Sequence, residues 1–202
     1  MQTRYGESRT QKLVRFAIAK FIFVTRTRFA RGRRDAYTGA MEFTIVDVEA
    51  SGLDAILTLN ESEVPHLGKV DIDQMAWFAE HAHYFRVALA ERRLAAFLVG
   101  LRPGSSYQSP NYRWFCERYD DFAYVDRVAV ARDFRRHGLA SRLYDDFANR
   151  MPDTVSVMTC EVNIRPPNDE SLRFHERLGF RQVGSQETEN GAKEVALLAK
   201  SL

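Results

Sequence analysis

YVDRVAVARDFRRHGLASRLYDDFANR, residues 124–150, is the stretch whose reading decides the fold. It opens as an apolar alternating strand, passes through a turn rich in Arg and Gly, and continues as an amphipathic helix. The turn is Arg135-Arg136-His137-Gly138-Leu139-Ala140, an R-x-x-G-x-A run. A helix that begins on such a turn presents unpaired backbone N–H groups and the positive end of its dipole. That terminus suits phosphate. Gly138 and Ala140 carry little side chain, so a ligand can approach the main chain closely. The run is neither the dinucleotide fingerprint G-x-G-x-x-G nor the P-loop G-x-x-x-x-G-K-[ST]. Alone, it reads equally well as a basic turn before an ordinary helix.

Downstream stands Asn168-Asp169-Glu170-Ser171-Leu172-Arg173-Phe174-His175-Glu176-Arg177-Leu178-Gly179-Phe180. It is a helix that opens on Asn and closes on Gly-Phe. In order and spacing the two stretches resemble the acetyl-coenzyme A motifs of the GNAT superfamily of N-acetyltransferases, over roughly residues 41–202. The resemblance implies an α/β (α+β) fold with a mixed, mostly antiparallel central sheet of six to seven strands. That sheet has flanking helices and is splayed at its fourth and fifth strands. It implies that Val128, Ala129 and Val130 pair by main chain with the pantetheine arm of acetyl-CoA. Arg135, Arg136, His137, Gly138, Leu139 and Ala140 would hold the diphosphate, and Asn168 would lie near the cofactor arm. His175 stands where the family has a Tyr that protonates the departing thiolate. Its other reading is a helix-face His packed beside Phe174.

Working outward, the order of elements is β-α-α-β-β-β-α-β-α-β-β. Strands are expected at Glu42–Val48, Tyr84–Ala90, Leu94–Leu101, Phe122–Val130, Val155–Val162, Phe180–Val183 and Val195–Ala199. Helices are expected over Ala50–Leu59 and Asp71–His81, besides the two motif helices. Arg102 to Asp120 reads as one long connection, and a connection of that length is expected to be functional.

The chain has 202 residues, 45% hydrophobic and 28% charged, with net charge +2. That is the composition of an ordinary globular domain. The charge is unevenly spread: residues 1–40 hold ten Lys and Arg against Glu7 and Asp35, so the remainder is net acidic. Residues 1–40 are expected to lie outside the fold, which would occupy residues 41–202. Three readings of this segment stay open: translation starting at Met41, a basic arm for a polyanion or partner, or a targeting peptide. No apolar run reaches the roughly 20 residues needed to span a bilayer. Cys116 and Cys160 have no metal-type spacing, and His81 and His83 lack a third ligand, so no metal is expected. The expected location is cytoplasmic. Nucleic acid is not an expected partner, and a homodimer is left open.

Acetyl transfer to an amine needs a base for the ammonium proton, a donor for the oxyanion and an acid for the thiolate. Glu161 and Asp126 are the candidate bases; with Arg127 they could equally form a structural ion-pair network. Asn60, Glu61 and Glu63 suit an amine, and Tyr107, Asn111, Tyr112, Trp114 and Phe115 could wall a small acceptor or else pack as a loop that covers the sheet edge. The acceptor is expected to be a small-molecule or peptide amine. The alternative is a non-catalytic GNAT-fold protein that binds acyl-CoA as a sensor or scaffold.

Overall fold

The structure is a computed structural model that describes residues 42–202. The expectations for residues 1–40 lie outside the described residues. One sheet has seven strands: β1 (Thr44–Asp47), β2 (Tyr84–Ala90), β3 (Arg93–Leu101), β4 (Ala123–Val130), β5 (Val157–Arg165), β6 (Arg181–Thr188) and β7 (Lys193–Ser201). Their order is β1-β2-β3-β4-β5-β7-β6. Every neighbouring pair is antiparallel except β4 and β5, which run parallel. The helices are α1 (Leu53–Glu61), α2 (Ile72–His81), α3 (Pro110–Cys116), α4 (Leu139–Ala148) and α5 (Asp169–Arg177). Among the described residues, no helix is long and apolar enough to cross a membrane.

Each face of the sheet carries its own core. On one face α4 buries Leu139, Leu143, Tyr144 and Phe147, a stripe at helical spacing, against Ala123, Val125, Met158 and Cys160. On the opposite face Leu53 and Ile56 of α1, Met75 and Phe78 of α2 and Phe115 of α3 pack on Phe97, Val99, Phe122 and Tyr124. β3 is covered on both sides, which is why it reads as an unbroken apolar run from Leu94 to Leu101.

Two irregularities prepare the site. Val99 pairs with Arg127 and Gly100 with Val125, so Asp126 is an extra residue in β4. Such a bulge bends its strand and increases the local twist. Just there the parallel pair ends: β4 and β5 are joined only through Ala123–Val125 and Met158–Cys160. Beyond these residues β4 stays with β3, β5 stays with β7, and the sheet opens between them.

Several element boundaries differ from the sequence expectation. The connection from Arg102 to Asp120 contains α3, started by Ser109, whose hydroxyl accepts from the Tyr112 N–H at 3.4 Å, and by Pro110 in the first turn. Asp71 is the cap of α2 rather than its first residue, its carboxylate accepting from the Gln74 N–H at 2.8 Å. β5 runs on to Arg165, and β6 extends to Thr188. β6 lies at the sheet edge with several side chains in solvent, so it lacks the apolar alternation that marks a strand.

Gly100 fits only because it has no side chain: a Cβ there would stand 2.4 Å from the Phe147 ring. Gly100→Ala is expected to lower unfolding stability by roughly 1–3 kcal/mol through overpacking. Gly52→Ala, which meets nothing within 4 Å, should leave it nearly unchanged. Urea denaturation of the two variants measures the difference.

Candidate active site

A cleft of about 1280 Å³ fills the opening between β4 and β5. Its floor is the edge of the parted strands. One wall is the turn into α4 with the first turn of α5, and the opposite wall is the loop between α1 and α2 with the residues leading into α3.

The α4 turn is shaped for an anion. Phe134, buried, anchors it, and Arg136 and Gly138 both take positive φ, 67° and 75°. The first helical hydrogen bond runs from Arg142 N–H to the Gly138 carbonyl, 3.1 Å, so the N–H groups of Leu139, Ala140 and Ser141 have no partner within the helix. No capping side chain covers them. A Cβ on Gly138 would meet nothing within 4 Å, so the main chain faces open cleft. A diphosphate fits this combination of bare donors, open space and neighbouring Arg side chains.

Glu161 lies on the floor, on the face of the sheet covered by α1, α2 and α3. Its Oε2 accepts from the Tyr124 hydroxyl at 2.8 Å and its Oε1 from Asn111 Nδ2 at 3.1 Å. Burial, and then the nearby Asp126 carboxylate, push its pKa up from 4.5 to about 8. The two hydrogen bonds and the Arg127 charge pull the other way and are outweighed.

Because of the bulge, Asp126 and Arg127 project to the same face and meet each other. Arg127 Nε donates to Asp126 Oδ2 at 2.7 Å, and the Asp126 side chain is 3% exposed. The Arg127 guanidinium also donates to Asn60 Oδ1 at 2.9 Å and lies 5.0 Å from the centre of the Phe78 ring. The loop from Ser62 to Val70 crosses the opening like a strap. Asn163 Nδ2 of β5 donates to the Pro65 and His66 carbonyls at 3.1 and 3.3 Å. Asn60 Nδ2 donates to the Gly68 carbonyl at 3.2 Å, and Arg135 of the α4 turn pairs with Glu63.

On the α4 face of the sheet Tyr144 and His175 meet inside the protein. His175 Nδ1 donates to the Ser171 carbonyl at 2.8 Å, which leaves Nε2 to accept from the Tyr144 hydroxyl at 2.7 Å. Burial lowers the His175 pKa to about 4.

Residues 53–180 match the family described as Acetyltransferase (GNAT) family. The chain belongs to that family. No curated protein matches its sequence. Solved structures with the same fold include Ard1 from Thermoplasma volcanium, with a TM-score of 0.64 at 16% identity over 79% of this chain and 97% of that one. Arabidopsis thaliana NAA60 in complex with a bisubstrate analogue gives 0.64 at 14% identity, over 79% and 98%. The ribosomal-protein-S18-alanine N-acetyltransferase from Escherichia coli gives 0.58 at 18% identity, over 79% and 94%.

Within this GNAT domain the residues singled out from sequence separate into two groups. Val128, Ala129, Val130, Arg135, Arg136, Gly138, Leu139, Ala140, Asn168, Glu161, Asp126, Glu63 and His175 all line the cleft. Several are already engaged. Asp126 is held by Arg127 and Glu63 by Arg135, and Asn168 caps α5 by accepting from Ser171 N–H at 3.2 Å.

His175, expected as an acid, lines the cleft but is buried; burial lowers its pKa to about 4, and its Nδ1–H faces the Ser171 carbonyl. Asn60, Glu61, Tyr112, Trp114 and Phe115, expected to meet the acceptor, do not line the cleft. Asn60, at 0% exposure, is a buried brace for Arg127, and Glu61 lies outside the cleft on the surface. Tyr112, at 2% exposure, points into the core, its hydroxyl donating to the Arg102 carbonyl at 2.7 Å. Trp114 packs on Gly184 of β6, with the Arg118 guanidinium stacked 3.9 Å from its ring centre. α3 turns both aromatic side chains away from the cleft and leaves Tyr107 and Asn111 facing it. His137 does not line the cleft; its ring lies beside Phe43, 6.2 Å between centres.

Two opposed pH dependences of stability follow. Glu161 binds its proton more tightly folded than unfolded, so its contribution is complete below pH 4.5 and is lost as pH rises through about 8. His175 binds its proton less tightly folded, so its contribution is complete above pH 6.5 and is lost as pH falls through about 4. Thermal melts across these windows should show Glu161→Gln losing the alkaline slope and His175→Phe losing the acid one. His175→Phe should also cost about 1–3 kcal/mol, since it orphans the buried Tyr144 hydroxyl.

Proposed function

We propose that this GNAT protein moves an acetyl group from acetyl-CoA to the primary amine of a small molecule or peptide by direct attack, with Glu161 as general base. The observation that carries the reading is Glu161 itself: a carboxyl at the floor of the cleft with its pKa near neutral. A general base works best when its pKa lies near the working pH. Asp126, locked to Arg127, is the lesser candidate. The bare turn from Arg136 to Ala140 supports diphosphate binding, and the edge of β4 at Val128 to Val130, which β5 does not pair and where only the Val130 carbonyl accepts from Arg135 Nε at 3.1 Å, offers main-chain partners to the pantetheine arm. Asn168 sits beside that path. Acetyl-CoA supplies the thioester carbonyl that the amine attacks.

The neighbours point the same way: a structure of Arabidopsis thaliana NAA60 contains acetyl-CoA, and the Escherichia coli protein is an alanine N-acetyltransferase. Glu161 accepts the ammonium proton directly or through one water. His175 and Tyr144 shape the wall on the α4 face, and the departing thiolate takes its proton from water in the open cleft.

Release of free thiol from acetyl-CoA in the presence of a panel of amines tests the reading. kcat/KM should rise with pH to a plateau above about 8. Glu161→Gln should lower kcat by roughly 10²–10⁴-fold while leaving acetyl-CoA affinity nearly intact. Gly138→Trp should do the reverse, weakening acetyl-CoA binding at least about tenfold in a protein with an unchanged circular dichroism spectrum. Thiol release that is absent with every amine would overturn the enzymatic reading.

A further inference from the structure

Glu161 is met by a short chain of side-chain amides that begins at the sheet edge. Gln186 of β6 donates through Nε2 to Oδ1 of Asn111 at 3.1 Å, and Asn111 Nδ2 donates to Oε1 of Glu161 at 3.1 Å. The opposite carboxyl oxygen is taken by Tyr124. Packing fixes the spacing: Trp114, one turn along α3 from Asn111, lies on Gly184 of β6, two residues from Gln186.

A side-chain amide has one donor end and one acceptor end. Two of them in series have two self-consistent arrangements. In the first, both NH₂ groups point toward Glu161, and the chain suits a carboxylate, which only accepts. Turned end for end, Asn111 Oδ1 accepts the O–H of a carboxylic acid while Asn111 Nδ2 donates to Gln186 Oε1. With Tyr124 donating to Oε2, the proton of the acid form sits on Oε1 and faces Asn111, so the first arrangement would set two donors against each other there, and the second would set two acceptors against each other once the proton leaves.

We propose that Asn111 and Gln186 are positioning residues that reverse together when Glu161 gains or loses its proton, so that the carboxyl stays hydrogen-bonded and fixed in direction in both states. The inference rests on the reading of Glu161 as the base. It accounts for a network in which no member is redundant. Glu161 is also acted on by Asp126, Arg127 and Tyr124 of β4, by Tyr107 ahead of α3, by Cys160 of β5 and by Tyr144 of α4. Gln186 hydrogen-bonds to none of these; its side-chain partner is Asn111.

The test needs no acceptor. Full-length protein is labelled with ¹³C at the glutamate side-chain carboxyl carbons, and the Glu161 signal is assigned by its loss in Glu161→Gln. Gln186→Glu presents only acceptors to Asn111 and Gln186→Lys only donors. The Glu161 titration midpoint should rise in the first and fall in the second, the two differing by about one pH unit or more. The same pair of substitutions is then made with Asn111→Ala, and with Asn111→Ser as a second background. The separation should collapse to less than about a third of its first value. An undiminished separation in either background would mean that the charge at 186 acts through space, which overturns the proposal. So would the absence of any separation while Asn111 is present. The reading of Glu161 as base fails separately, if Glu161→Gln releases thiol as fast as the parent.

Discussion

The parting of β4 from β5 is the constraint on which the rest of this molecule depends. Two parallel strands that stayed paired to their ends would leave neither an unpaired edge nor a cleft. Here the pairing stops after Val125 and Cys160, and one extra residue, Asp126, bends β4 away. Both strands keep their outer partners, so backbone hydrogen bonds are given up only along the opening. A buried polar backbone edge without partners is costly, which is why such an edge is suited to a ligand that pairs with it. The same bulge sends Asp126 and Arg127 to one face. Their ion pair is buried but well satisfied, with Asn60 and the Phe78 ring completing the shell around Arg127. A pair of this kind contributes little net stability, yet removing either partner would strand a charge. Its visible effect is on its neighbour: it sets a fixed field beside Glu161.

The opening also divides the chemistry between the two faces of the sheet. Glu161, the proposed base, belongs to the face covered by α1, α2 and α3. The turn proposed to hold the diphosphate and the Tyr144–His175 contact belong to the face covered by α4 and α5. The reacting groups would meet only in the gap, where neither core continues.

Much of this was legible in the sequence, and what was missed has physical causes. The R-x-x-G-x-A turn and the alternating Val128-Ala129-Val130 are local features whose geometry follows from their own residues. The placement of Glu161 also emerged, from its position in a strand expected to splay. The Asp126–Arg127 ion pair was one of two readings left open; what the letters do not announce is the bulge that lets adjacent strand residues meet on one face. Tyr112 and Trp114 were assigned to a loop although Ser109-Pro110 is a helix-start signal; reading α3 from it would have turned both inward. Tyr144 is an apolar position of an amphipathic helix by pattern, and only the partner on α5 reveals its hydroxyl as placed. His175 is buried with its Nδ1–H on a carbonyl one helical turn back, a setting that its place in the motif does not announce.

The strap across the opening is fastened mainly by its main chain. Asn163, Asn60 and Arg127 reach for the carbonyls of Pro65, His66 and Gly68, which are common to any sequence that can take this path. Apart from Glu63, the side chains of Val64, His66, Leu67, Lys69 and Val70 line the cleft without taking part in the fastening hydrogen bonds. Leu67 and Val70 also pack on the core beneath α1 and α2, so the freedom to vary falls to Val64, His66 and Lys69, whose side chains line the cleft while the loop's course is held by its carbonyls.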